Sequence, residues 1–141
     1  MNGDRFVIDA SVAIKWVVDE PGTEQALLLR RKRLFAPDLL IAECANILWK
    51  KVRRKELSEA EAILAARLLQ RADIQLEPMR PLLEPATRLA LALGHPAYDC
   101  TYLALAEVLS CPVVTADDRL YRKTLSIGFE PKVIRLTSVE A

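Results

Sequence analysis

Residues 6–14 read FVIDASVAI. Phe6, Val7 and Ile8 form a short apolar run closed by an acid, which predicts a buried strand ending at Asp9. Ser11 then opens a helix to about Val18, and the Glu20-Pro21-Gly22 turn stops it. Residues 112–120, PVVTADDRL, have the same shape: a strand over Pro112–Thr115, an aspartate pair, and a helix from Asp118 to about Leu125. Strands released into helices in this way predict an α/β domain with a central, mainly parallel sheet. In such sheets the active crevice lies beyond the carboxyl ends of the strands. Asp9 and Asp117 both fall at such ends, so they can meet.

The intervening chain continues the alternation. Thr23 is read as the cap of a helix from Glu24 to about Lys32, followed by a short strand at Leu34–Ala36. Pro37-Asp38 starts a long helix to about Arg54. Ser58 and Glu61 have capping-box spacing and open another helix to about Ala72. Ile74–Glu77 is extended. A helix then runs to Leu93, with Pro85 in its first turn and Gly94-His95-Pro96 ending it. A further helix spans about Ala97 to Leu109, and Lys132–Leu136 is the last strand. No linker or low-complexity tract interrupts this order, so residues 1–141 are expected to be a single domain.

Composition narrows the classes. The chain has 141 residues, 52% hydrophobic and 28% charged, which suits one domain with a sizeable core. A net charge of +1 and only 6% aromatic residues exclude a generally basic coat and a broad platform of stacked aromatics. Cys44, Cys100 and Cys111 lack CxxC spacing and read as reduced core residues. The start lacks a signal-peptide pattern and no apolar run reaches membrane-spanning length, so the expectation is a cytoplasmic protein with no membrane partner.

Four acids stand in apolar or small-residue windows: Asp9 in VIDASVAI, Glu43 in LLIAECANIL, Asp99 in AYDCTYLALA and Asp117 in VVTADDRL. A carboxylate buried without a partner costs several kcal/mol or more, about the cost of an unpaired buried ion. The first three windows hold no Lys or Arg. Each acid also has an ordinary reading. Asp9 can serve a turn, Glu43 can snorkel at a helix rim, Asp99 can answer a helix dipole, and either Asp117 or Asp118 can cap a helix. Here the cap is assigned to Asp118 and the site to Asp117. If the fold gathers all four, the natural counter-charge is a divalent cation that prefers oxygen ligands. Asn46, three residues after Glu43, shares its helix face.

These stretches, VIDASVAIKW, PDLLIAECANIL, YDCTYLALA and VVTADDRL, resemble in order and spacing the PIN-domain nucleases, and within them the VapC-type toxins of toxin–antitoxin pairs. The resemblance implies a three-layer α/β/α fold with carboxylates collected at one end of the sheet. It further implies Mg²⁺- or Mn²⁺-dependent cleavage of RNA to 5′-phosphate and 3′-OH ends, a homodimer, and inhibition by a cognate VapB-like antitoxin. On this reading Asp9, Glu43 and Asp99 are principal metal ligands, and Asp117 is a ligand directly or through water. Ser11, Asn46 and Thr115 form a supporting shell. Carboxylate-only ligation suits hard Mg²⁺ or Mn²⁺.

Arg119, Arg122 and Lys123 lie beyond Asp117 and are candidates for RNA phosphate contact. The clusters Arg30–Arg33 and Lys50–Lys55 are read either as solvated helix ends or as phosphate sites. Lys15 and Trp16 face the site or a partner, and Trp16 reads equally as core. His95, the only histidine, is assigned to the helix end. Two other functions stay open at this level: aspartyl phosphoryl transfer, for which Ser11 stands where a second aspartate is wanted, and a non-catalytic metal-binding module.

Overall fold

The computed structural model describes residues 4–140. Strands β1 (Arg5–Ile8), β2 (Arg33–Pro37), β3 (Gln75–Glu77), β4 (Val113–Thr115) and β5 (Val133–Arg135) hydrogen-bond into one sheet. Its order is β3-β2-β1-β4-β5 and every pairing is parallel. The chain therefore steps outward from β1 to β3, then returns to the other side of β1 for β4 and β5. The order reverses between β1 and β4, the two strands that end at aspartates. That reversal is the topological switch point where open α/β sheets form a crevice.

The helices are α1 (Ala10–Ala13), α2 (Thr23–Leu29), α3 (Leu39–Arg53), α4 (Glu59–Gln70), α5 (Leu83–Leu93), α6 (Ala97–Leu109) and α7 (Asp118–Ser126). They cover the sheet in the three-layer α/β/α arrangement expected from the sequence. Helix α6 packs on β1, β2 and β4 and buries an unbroken run from Cys100 to Ala106. A helix hydrophobic all round belongs in the core, and this one carries Asp99 at its start. Helix α3 instead buries one stripe, Leu40, Cys44 and Leu48, at the four-residue spacing of an amphipathic helix. The three cysteines are free and buried. Among the described residues, no helix is long and apolar enough to cross a membrane.

Local signals mostly act as the sequence predicts. Ser58 and Glu61 form a complete capping box at the start of α4. Gly94 ends α5 in the left-handed region, at φ 60°, where a glycine carries no Cβ penalty. Three expectations need correction. The first helix is shorter, Ala10–Ala13, and tightens into a 3₁₀ turn over Ile14–Trp16. Thr23 is the first residue of α2, with Gly22 at the cap position. Its hydroxyl accepts from Glu20 N–H and donates to the Val18 carbonyl instead, closing the preceding turn.

The third correction concerns α7. Its cap is Asp117, whose Oδ1 accepts from the backbone N–H of Arg119 and Leu120 at 2.9 and 3.2 Å. Asp118 is already helical. A cap must keep extended backbone while its side chain turns back to the first free N–H groups, and Asp117 has that geometry at φ −90°, ψ 103°.

Candidate active site

The register of the two central strands begins the site. Val7 pairs with Val113 and Ile8 with Val114, so the next residues, Asp9 and Thr115, leave their strands side by side. Thr115 Oγ1 donates to Asp9 Oδ2, and Ser11 Oγ donates to Asp9 Oδ1. Both hydroxyls are themselves fixed. Ser11 Oγ accepts from Ala116 N–H and Thr115 Oγ1 from Asp117 N–H, each at 3.0 Å. The carboxylate on β1 is thus locked to the end of β4 by two side chains that also order the turn into α7.

Helix periodicity supplies the next wall. Glu43, Asn46, Ile47 and Lys50 of α3 fall at i, i+3, i+4 and i+7, and all four line the same cleft. From the far side, α6 contributes Asp99, with Tyr102 one turn on. Tyr102 O–H donates to Glu43 Oε1 at 2.5 Å, bridging the two helices. Asp9, Ser11, Glu43, Asn46, Asp99 and Asp117 line one cleft of about 260 Å³. Thr115 lies beneath, fully buried. Lys50 is the one cation of that lining among the described residues.

Each acid has an oxygen already engaged. Glu43 uses Oε1 on Tyr102, Asp117 uses Oδ1 on the α7 backbone, and Asp99 Oδ2 meets His95 Nε2 at 2.5 Å. An ionised carboxylate only accepts, so Nε2 carries the proton of that bond. The second oxygens of Glu43, Asp99 and Asp117 have no hydrogen-bond partner among the described residues. This is how carboxylates are oriented for single-oxygen ligation of a hard cation.

Electrostatics agree with an uncompensated negative site. Asp9 is buried, and its carboxyl is pushed up to about 6 by desolvation, with the Asp99 charge adding and the two hydroxyl bonds opposing. Glu43 is raised by its own burial first and then by Asp99, against the Tyr102 bond. Burial drives the Cys44 thiol up to about 12, with Glu43 and Asp9 contributing, so it is an inert neutral neighbour. Carboxylates that resist ionisation beside one another fit a divalent cation, which removes the repulsion.

Two contributors were not assigned to the site from sequence. Tyr102 lies in an apolar helix, and its sequence signal is the three-residue spacing from Asp99. His95 does follow the Gly94 helix end, yet its buried ring turns into the site. One ligand atom from each of His95, Asp99 and Asp117 lies within 4.8 Å of the others. The basic candidates divide. Arg119 and Arg122 are exposed on α7, whereas Lys123 Nζ donates to the Gly94 carbonyl at 2.9 Å, tying α7 to the loop that carries His95. Lys15 pairs with Glu20, and Trp16 Nε1–H donates to the Ala26 carbonyl beneath the Arg30 guanidinium. A larger concavity of about 390 Å³ lies along Leu40, Ile41, Leu48, Leu69 and Ile74. It is apolar and contains none of the acids, so the smaller cleft is the candidate site.

The PIN-domain family model matches residues 6–124, from the first strand to near the end of α7. The chain belongs to the PIN-domain family. Among curated relatives, ribonuclease VapC9 of Mycobacterium tuberculosis is 34% identical over 115 residues, covering 82% of this chain and 87% of that protein. Ribonuclease VapC3 of Pyrobaculum aerophilum is 33% identical over 126 residues, covering 84% and 94%. Among solved structures, PAE2754 from Pyrobaculum aerophilum superposes with a TM-score of 0.72 at 24% identity, over 96% of this chain and 86% of that one. At that identity the likeness speaks to fold, and it agrees with the parallel sheet and helical layers of this PIN domain.

Proposed function

We propose that this PIN domain is a divalent-metal-dependent endoribonuclease, the toxin of a type II toxin–antitoxin pair, acting in the cytoplasm. The observation that carries the reading is the convergence of Asp9, Glu43, Asp99 and Asp117 on one cleft at the switch point. Support comes from relatives named as VapC ribonucleases at 33–34% identity over most of the chain. The set of oxygen donors suits Mg²⁺ or Mn²⁺. Such an ion lowers the pKa of a water and offsets charge developing on a phosphodiester.

The chain's own residues have separable tasks. Asp9, Glu43 and Asp99 hold the ion, and Asp117 holds it directly or through water. Ser11 and Thr115 fix the Asp9 carboxylate, Tyr102 fixes Glu43, and His95 fixes Asp99. Asn46 stands on the α3 face beside Glu43, where its amide can orient a water or the substrate. Arg119 and Arg122 reach toward phosphates beyond the cleft. Residues 1–141 act as one nuclease domain, paired with a second copy as a homodimer and silenced by a VapB-like antitoxin.

The test is incubation of a mixed RNA pool with purified protein in Mg²⁺, in Mn²⁺ and in EDTA, beside Asp9→Asn. Metal-dependent fragments with 5′-phosphate ends, absent in EDTA and in the variant, are expected. Cleavage that persists in EDTA, or in Asp9→Asn, would overturn the metal-centred reading.

A further inference from the structure

The last turn of helix α3 and its C-cap carry four cations, Lys50, Lys51, Arg53 and Arg54, and the fold treats them differently. Lys51 is withdrawn: its Nζ sits 2.8 Å from Glu20 Oε2 and 3.3 Å from Glu56 Oε1. Lys50, Arg53 and Arg54 are exposed and make no ion pair among the described residues. Lys50 lies two turns beyond Glu43 on the same face and lines the acidic cleft. It also lines a second, open concavity of about 290 Å³ with Trp49, Arg53 and Arg54. Lys50 is thus a wall shared by the two hollows.

Trp49 stands out on this face. It is 54% exposed, and the Arg53 guanidinium lies 4.9 Å from its ring centre. A large exposed indole with a cation against it offers the two contacts an unpaired nucleotide needs, a π-face for the base and charge for the phosphate. We propose that the substrate strand leaves the cleft along α3 as single-stranded RNA, its phosphates on Lys50, Arg53 and Arg54 and one unpaired base stacked on Trp49. The proposal rests on the nuclease reading above and specifies that the segment flanking the cut is unpaired. A second copy of the chain is the poorer occupant. A two-fold contact through this face would set Lys50, Arg53 and Arg54 against their own counterparts, with like charges opposed.

The test measures binding of a labelled oligouridylate to the full chain carrying Asp9→Asn in Mg²⁺, so that bound strands stay whole. Tryptophan emission is followed alongside, and the same strand annealed to its complement is the comparison. The expected result is tighter binding of the single strand with quenching of emission. Trp49→Ala should abolish most of the quench and weaken binding by about tenfold, a typical cost for one stacked base. The triple change Lys50→Ala, Arg53→Ala, Arg54→Ala should reduce the slope of log affinity against log salt by about 2, from ~0.7 per lost phosphate contact. Ala substitutions on an exposed helix face keep helix propensity, and thermal melting confirms that each variant folds.

Three results would overturn the proposal. One is unchanged affinity and quench in both variants; another is duplex binding as tight as single strand. The third is a change in oligomeric mass with RNA affinity intact, which would make the face a contact between copies. Hydrolysis of bis-p-nitrophenyl phosphate by the unaltered chain reports the metal centre separately, because that small diester has no strand to lay along α3. Failure there with binding intact would sink the nuclease reading and leave an RNA-binding face.

Discussion

Asp9 concentrates the conflict in this molecule. Its carboxyl is raised from 3.8 to about 6, by burial first. A raised pKa means the folded chain keeps a proton that the unfolded chain has lost. The resulting stability is fully present below about pH 4 and is gone once the pH rises past about 6. The shift corresponds to about 3 kcal/mol, with metal absent. Urea unfolding in EDTA should therefore show stability falling across that window; a flat profile would mean the site is not desolvated as described. By the same logic Asp9→Asn removes the charge penalty at pH 7 and loses about 1 kcal/mol from one hydroxyl bond. The variant should be more stable than the parent in EDTA by about 2 kcal/mol while losing cleavage. A clear drop in stability would show that the Ser11 and Thr115 bonds outweigh the crowding. Tyr102→Phe keeps the ring and deletes only the donor to Glu43. Loss of such a positioning bond typically weakens metal affinity or turnover about 10- to 100-fold. Calorimetric titration with Mn²⁺ should find that loss; unchanged affinity would demote Tyr102 to packing.

At the scale of elements, α7 and α3 each perform two tasks with one stretch of chain. Asp117 caps α7 with Oδ1 and also lines the acidic cleft, so the cap and the proposed ligand share a side chain. Asp117→Ala should cost about 1 kcal/mol of stability through the lost cap, opposite in sign to Asp9→Asn. Asp117→Ser, which retains a capping acceptor, should recover most of that stability but not the cleavage. If Ala and Ser melt alike, the cap contributes nothing. This duality explains why the sequence misassigned the cap. Asp117 and Asp118 are chemically identical, and the choice depends on where the backbone leaves the strand. In α3 the core stripe, the site face and the cation face are interleaved at helical spacing, so a run that reads as Lys-Lys-Val-Arg-Arg splits into withdrawn and free charges only once Glu20 and Glu56 are in place.

For the whole molecule, the sheet order brings distant carboxylates together, and folding holds them there against their repulsion. A ligand that binds only this assembled state stabilises it by mass action, about 3 kcal/mol at a hundredfold excess over its Kd. The melting temperature should rise with Mg²⁺ or Mn²⁺, fall back in EDTA, and respond much less in Asp9→Asn. An equal rise in that variant would place the ion elsewhere.

The sequence alone was enough for the alternation of strands and helices, the α4 capping box, the Gly94 stop and the four unusual acids. These are local facts: apolar runs, φ-permissive residues and carboxylates without neighbouring cations are written in consecutive positions. It was not enough for the Tyr102–Glu43 bond, spanning 59 residues, or the Thr115–Asp9 bond, spanning 106. Nor was it enough for the turn of His95 into the site or the withdrawal of Lys123 onto the Gly94 carbonyl. Those depend on strand order and on which helix face meets the sheet. Such choices are made by packing energy summed over the core, so only the tertiary structure decides how each acid is held and which of them keep a free oxygen.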